Sequence, residues 1–566
     1  MRMQTIAVAA LLIAAVAAAE VRVQLSLKRP VSEAAIEREF VERSTPGYAK
    51  YQQHLTPEQL TQLVQASPAT VAAAERFFAG AAGVRSAQLF ATRDVYTAVV
   101  DRQSPLAAEL GLSAAMFEPS AVRHAVPVPG ALAAHVERIV VVPPRDGKKQ
   151  RAGAGGKLHY AKGGNNKKQA GEAGALPFPG MAQTPKTIKE RYAVPAGQLT
   201  SASVQGVGEF QDSYFKEAWM RIFSANNSLP TPDIRISGPN DPSQDDVEGT
   251  LDLEYITAIA DGATTWWVSS NDTSTDPFGI DFNWWCAQAA SLSPMPKVVS
   301  LSWGIGEDNY AGKEAVLIAD NDGFRKLGLL GVSVFAASGD TGPGSRGFTS
   351  CTRFDPGWPA SSPYVTTVGA TYADTQSAGE VAVSFSGGGF SDYFPTPEWQ
   401  KAAVASYLQS TPGLPKASFF NASGRAFPDV SALGTNFMVY GADQFGQEGW
   451  MPIAGTSCAS PTFAAVITRI NAERIAAGKS TLGFLNPTIY QMGTVGYDVT
   501  SGTSQDPDCF GFDFAGFPAA AGWDAVSGLG TPNYATLKAH LVASTSARMS
   551  AGVAVEQPPK KAGGRQ

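Results

Sequence analysis

Hydrophobic positions fall into three kinds of run along this chain. The first covers residues 6–19, after Met1-Arg2-Met3, and ends in Ala17-Ala18-Ala19 before Glu20. A positive start, a short apolar middle and a small-residue exit form the pattern of a secretory signal peptide, and the run is short for a bilayer span. The second kind is a set of short β-rich runs at 21–27, 95–100 and 139–142, with a helical stretch at 71–79, which predicts a small α+β domain over residues 20–144. The third kind is longer and more buried in character. Residues 297–302 and 329–336 read as core strands and 313–327, between them, as a helix. Strand, helix, strand in that order predicts a parallel α/β sheet in the region 176–545.

Between the two predicted domains the pattern collapses. Over residues 145–168, Arg145, Lys148, Lys149, Arg151, Lys157, Lys162, Lys167 and Lys168 stand against the single Asp146, spaced by glycines with almost no large apolar residue. A stretch of this composition, taken here as 145–175, is an exposed linker that proteases reach. Residues 546–566 read as a disordered basic tail.

Charge follows the same boundaries. Residues 176–545 hold 35 Asp+Glu against 19 Lys+Arg, leaving 15 acids and 25 bases elsewhere. Opposite signs across a cleavable linker suit an N-terminal domain that inhibits its own catalytic region, and protonation of carboxylates in acid weakens such an attraction. The four cysteines, Cys286, Cys351, Cys458 and Cys509, show no C-x-x-C spacing, which argues against a zinc cluster or a disulfide-dense scaffold. Sequons at Asn226, Asn271 and Asn421 are candidate glycan sites in a secretory protein. No basic groove with interleaved aromatics suggests nucleic acid.

Gly455-Thr456-Ser457-Cys458 leads into an apolar run, so Ser457 stands near the first turn of a buried helix. Such a serine is either a helix cap or a nucleophile whose oxyanion forms beside backbone N–H groups. The histidines help to decide. His54, His124, His135 and His159 lie in the N-terminal domain or linker, so the catalytic region retains only His540, in a C-terminal amphipathic stretch that suits a surface or packing role. If Ser457 attacks, a carboxylate must be its base. Glu248 and Asp252 are the best candidates: Asp245 or Asp246 can cap a helix, and the i, i+4 spacing puts the two carboxyls on one face, where like charges raise at least one pKa. An acidic first turn that merely suits the helix dipole explains Asp245, Asp246 and Glu248 as well, but Asp252 less so. Asp340 follows the apolar strand directly, as a turn residue or as a carboxyl whose proton stabilises an oxyanion.

Val247-Glu248 through Tyr255, Ala337-Ser338-Gly339-Asp340-Thr341-Gly342, Pro359 through Gly369, Ser386-Gly387-Gly388-Gly389-Phe390-Ser391 and Gly455-Thr456-Ser457 together resemble the sedolisin, or serine-carboxyl peptidase, family. The stretches from Phe420 to Val430 and from Leu482 to Pro487 most resemble its tripeptidyl-peptidase branch. The resemblance implies a subtilisin-like doubly wound catalytic domain behind a ferredoxin-like prodomain. It also implies Glu248 as base, Asp252 as its orienter, Ser457 as nucleophile and Asp340 in the oxyanion hole. It further implies one calcium ion, held by Asp498, the carbonyls of Val499, Ala520 and Gly522, and Asp524, and a disulfide between Cys351 and Cys509. Ala520 stands where the family usually has glycine, which matters only if the backbone there needs a positive φ. The expected activity is acid release of tripeptides from free N-termini of unfolded peptides, in a lysosome-like compartment or outside the cell. An endopeptidase of the same family, or a catalytically silent calcium-stabilised binding protein, are the alternatives.

Overall fold

The computed structural model describes residues 20–542 except 114–115, 117–123, 143–175, 177, 211–212, 245, 271–279, 345–350, 444–445, 507–508 and 510–514. The signal peptide, the linker, Asp245, the Asn271 sequon and the C-terminal tail therefore lie outside the described residues.

The N-terminal unit is one antiparallel sheet with helices. Strands β1 (Glu20–Leu27), β2 (Val84–Leu89), β3 (Val95–Asp101), β4 (His124–Val126) and β5 (Val136–Val142) are ordered β2-β3-β1-β5-β4. Helices α1 (Glu33–Ser44), α2 (Pro57–Val64) and α3 (Pro68–Phe78) each begin at a Ser or Thr whose side chain accepts from the first turn, and α2 and α3 carry proline at the start. The helix expected at 71–79 is α3, and the three expected strands are β1, β3 and β5.

The second unit is built on an eight-stranded sheet. Its strands are β6 (Val204–Glu209), β7 (Ile234–Ser237), β8 (Thr264–Ser269), β9 (Val298–Leu301), β10 (Ser333–Ala337), β11 (Thr366–Tyr372), β12 (Val381–Ala382) and β13 (Val430–Leu433). The order is β12-β11-β10-β9-β6-β8-β7, with β13 also on β11; every pairing is parallel except β11 with β12. Helices α4 (Glu248–Ile259) and α7 (Thr456–Ala476) cover one face, sharing a core with Val207, Phe335, Val368 and Val430. Helices α5 (Phe282–Ala290) and α6 (Glu314–Leu329) cover the other, against Val268, Val299, Leu301, Val334 and Ala336. Val334 and Ala336 thus point one way from β10 and Phe335 the other, the period-two alternation of a strand buried on both faces. From β6 the chain moves to β7 and β8 on one side and later to β9 and β10 on the other. The C-terminal ends of β6, β9 and β10 therefore meet at a topological switch point, where doubly wound sheets form clefts.

The N-terminal unit docks on α5 and α6. Gln24 donates to Asp281 at 2.6 Å, and Leu55 N donates to Leu329 O at 2.9 Å. The ions at this interface are mixed: Asp94 pairs with Lys326 at 2.6 Å, Arg29 with Asp322 at 3.1 Å and Glu33 with Arg325 at 2.6 Å. Docking among the described residues thus uses alternating local charges, and each side supplies both signs. The bulk charge difference seen in the sequence does not describe this contact.

Candidate active site

Four side chains singled out in the sequence come together at the C-terminal ends of β6, β9 and β10. Asp246 sets the entry of α4: its Oδ1 accepts from Glu248 N at 3.3 Å and its Oδ2 from Gly249 N at 3.0 Å. One turn apart on this helix, Glu248 and Asp252 are both buried, as is Ser457 at the start of α7. Gly455, in extended conformation, leads the chain into α7, and Gly455 N donates to Gly434 O at 2.9 Å.

Burial drives the Glu248 carboxyl well above the usual range. The Ser457 hydroxyl opposes that rise, and the neighbouring Glu209, Asp246 and Asp340 add to it. Ser457 is therefore close enough to act on Glu248, although neither Ser457 Oγ nor Glu248 Oε1 closes a hydrogen bond of full geometry. Asp252 is also raised by burial, then by Glu209 and Glu248, while Ser302 Oγ donates to its Oδ1 at 2.9 Å and works the other way.

Asp340 ends the β10 turn and reaches the segment before Ser457. Its Oδ1 accepts from Thr456 N and from Thr456 Oγ1, each at 2.7 Å. Thr456 Oγ1 in turn accepts from Gly339 N at 3.1 Å, so the strand turn and the helix start are locked together. His540 lies exposed on helix α8 (Tyr534–Leu541) and bonds through Nδ1 to Thr536 O of its own helix at 2.9 Å. It takes no part in this constellation, as the histidine count anticipated.

Sequence reasoning passed over Glu209 and Trp303. Glu209 ends β6, fully buried; its Oε2 accepts from Trp303 Nε1 at 3.0 Å and lies 2.8 Å from Ser213 Oγ. Burial pushes this carboxyl up to about 8. The signal that picked out Asp340, an acid at the end of an apolar strand, was present at Glu209 too.

The two segments that carry the five expected calcium ligands lie against each other. Asp498 Oδ2 accepts from Gly522 N at 2.9 Å, and Asp524 Oδ2 from Ala520 N at 3.0 Å, so the 520–524 loop folds onto the 498–499 segment. Ser527 Oγ donates to both Asp524 and the Val499 carbonyl. Asp524 is fully buried, and burial raises its carboxyl to about 7. Burial and hydrogen bonds, not a cation, set its shift, and among the described residues no group of three or more His, Cys, Asp or Glu could hold a metal. Two carboxylates with backbone carbonyls, and no nitrogen or sulfur donor, make an oxygen set suited to a hard cation. Ala520 has no positive φ, so alanine is tolerated where glycine was expected.

Cys351 and Cys509 form a disulfide across 158 residues, and Cys286 and Cys458 are free and buried.

Comparison with known proteins follows the same division of the chain. The family described as the activation domain of Pro-kumamolisin matches residues 12–140. Tripeptidyl-peptidase 1 of Bos taurus is 33% identical over 521 residues, 87% of each chain, and that of Homo sapiens is 32% identical over 544 residues, 91% of each. Among solved structures, Pseudomonas sedolisin, a serine-carboxyl proteinase in complex with pseudo-iodotyrostatin, superposes with a TM-score of 0.52 at 23% identity. It covers 64% of this chain and 99% of its own, and bears on the fold.

Proposed function

Since the chain belongs to the sedolisin family of serine-carboxyl peptidases, beside tripeptidyl-peptidase 1, we propose that it removes tripeptides from free N-termini of peptides in acid, as a zymogen restrained by its own N-terminal domain. The observation that carries this reading is the burial of Ser457 beside Glu248, with Asp252 buried one turn along the same helix and Asp340 fastened to Thr456.

In this mechanism Glu248 takes the proton of Ser457 Oγ as that oxygen bonds to the carbonyl carbon of the third residue. Asp252 lies one helical turn away and holds Glu248 in a shared proton system. Protonated Asp340 donates to the developing oxyanion. Collapse of the tetrahedral adduct breaks the C–N bond, and Glu248 returns the proton to the leaving amine. Water then attacks the acyl-serine, giving its proton to Glu248, and the tripeptide leaves as Ser457 is restored. The buried site excludes bulk water, which strengthens each of these interactions.

Asp498, Asp524 and the carbonyls of Val499, Ala520 and Gly522 would hold one calcium ion, which ties two surface segments of the catalytic unit together. An acidic compartment on the secretory route, lysosomal or extracellular, fits a carboxylate base pair. No described helix is long and apolar enough to cross a membrane.

Fluorogenic substrates with free and acylated N-termini test the tripeptidyl step. Fast turnover of the free form and none of the acylated form is expected after acid activation. Equal turnover of both would make the enzyme an endopeptidase.

A further inference from the structure

Ser213 has one hydroxyl hydrogen and two carboxyl neighbours. Its Oγ lies 2.8 Å from Glu209 Oε2 and 2.7 Å from Asp246 Oδ2. Oxygen–oxygen contacts of that length each need a hydrogen between them. The serine supplies one, so the second must ride on one of the two carboxyls.

The remaining donors decide which. Asp246 also accepts from Tyr214 N at 3.3 Å, Glu248 N at 3.3 Å and Gly249 N at 3.0 Å, at the N-terminus of α4. Burial raises this carboxyl too, but the backbone N–H groups and the positive end of a helix dipole oppose that rise and favour the ionised form. Glu209, fully buried, has only Trp303 Nε1 besides Ser213. We propose that Glu209 is a neutral acid whose Oε2 proton is donated to Ser213 Oγ, while Ser213 donates its own hydrogen to an ionised Asp246. Ser213 is then a positioning residue, which holds the proton on Oε2 of Glu209.

The catalytic consequence rests on the function proposed above. The charged and titratable groups around this chain are Glu248 and Asp252 on α4 and Asp340 after β10, and an ionised Glu209 would, after burial, be the largest charge acting on Asp252. A neutral Glu209 withholds a second negative charge from the catalytic pair. Burial raises Glu209 to about 8, in keeping with its protonation throughout acid conditions.

Infrared difference spectra of the full-length protein at about pH 6 test the placement without any peptidase assay. Glu209→Gln should lose one protonated-carboxyl C=O band, Asp246→Asn should keep that band and lose a carboxylate signal, and Ser213→Ala should move the band to higher wavenumber. A band lost in Asp246→Asn, or in neither variant, overturns the assignment. Kinetics give a second reading on acid-activated protein. Asp246→Asn removes a negative charge that raises Glu248, so the acid limb of kcat/KM should shift to lower pH by roughly one unit. Glu209→Gln should leave that limb in place. An equal shift in Glu209→Gln shows Glu209 to be ionised and contradicts the proposal. If Ser457 and Glu248 were not catalytic, the limb would respond to neither variant, while the infrared result would stand on its own.

Discussion

Asp340 Oδ1 accepts both the backbone N–H and the hydroxyl of Thr456, so one oxygen of this carboxyl is committed to the residue directly before Ser457. A proton on Asp340 therefore belongs on Oδ2, and a Cβ at Gly455 would stand 3.0 Å from that oxygen. Asparagine at 340 would keep its carbonyl on Thr456 and present an N–H donor at the Oδ2 position. Asp340→Ala should lower kcat about 10²–10³-fold. Asp340→Asn should retain more activity, because its amide still donates at that position. Rate profiles of the two variants between about pH 3.5 and 7.5 check this; matching losses at every pH would contradict it.

Several buried carboxyls of the catalytic unit are raised rather than lowered. Burial takes Glu209 to about 8 and Glu307 to about 7, and drives Glu254 upward as well. Each binds a proton more tightly folded than unfolded. Their stabilisation is complete below the unfolded carboxylate value and is lost as pH rises through the folded one. The processed enzyme should therefore melt highest in acid, its Tm falling steadily from about pH 5 to about pH 8. A Tm that climbs over this range would show the carboxyls to be ionised in the fold.

His54 joins the N-terminal unit to the catalytic unit through Nε2 and the Thr481 carbonyl, at 2.8 Å. Its ring fills the space beside Gly331 and Gly483, both at positive φ, where a Cβ would come within 2.4 and 2.6 Å of it. Burial lowers its pKa to about 4; the Thr481 hydrogen bond opposes this, and Lys297, Arg474 and Arg43 lower it further. A docked value below the free one of about 6.5 means that His54 favours docking above that pH and that this contribution is lost as pH falls toward 4. Allowing for partial exposure, acid should weaken docking by roughly one to two orders of magnitude through this residue. His54→Gln, which can still donate to Thr481 O but does not titrate, should move acid activation of the precursor to lower pH. Unchanged activation half-times across the pH range would remove His54 from the trigger.

Much of this was legible in the chain because strands and helices announce themselves by period. The strand expected at 297–302 is β9, and the helix expected at 313–327 is α6. The strand expected at 329–336 begins only at Ser333, because Leu329 completes the preceding helix before a positive-φ turn at Gly331. Four of the candidate catalytic side chains could be named because Ser457 and Asp340 follow turn signals and Glu248 and Asp252 share a helix face. Glu209 and Ser213, four residues apart, were not legible as a group with Trp303, which reaches them only when β6 and β9 pair. Resemblance supplied the disulfide partners, which spacing alone leaves open.

Calcium at Asp498 and Asp524 should appear in stability more than in chemistry, as these ligands tie surface segments together. Chelation of the processed enzyme, or Asp524→Ala, should lower Tm, and added calcium should restore it only in the chelated wild type. A Tm indifferent to chelator at neutral pH would leave Asp524 as a buried, protonated carboxyl.

The central claim is that Ser457, served by carboxylates, cuts the peptide. The most direct measurement is mass spectrometry of the products formed from a free-N-terminus peptide in acid by wild type and by Ser457→Ala, the variant being processed in trans and then separated from the activating enzyme. The account predicts successive tripeptides from wild type and a loss of about 10⁴-fold or more in their rate with Ser457→Ala. Tripeptides released at a similar rate by Ser457→Ala would contradict it.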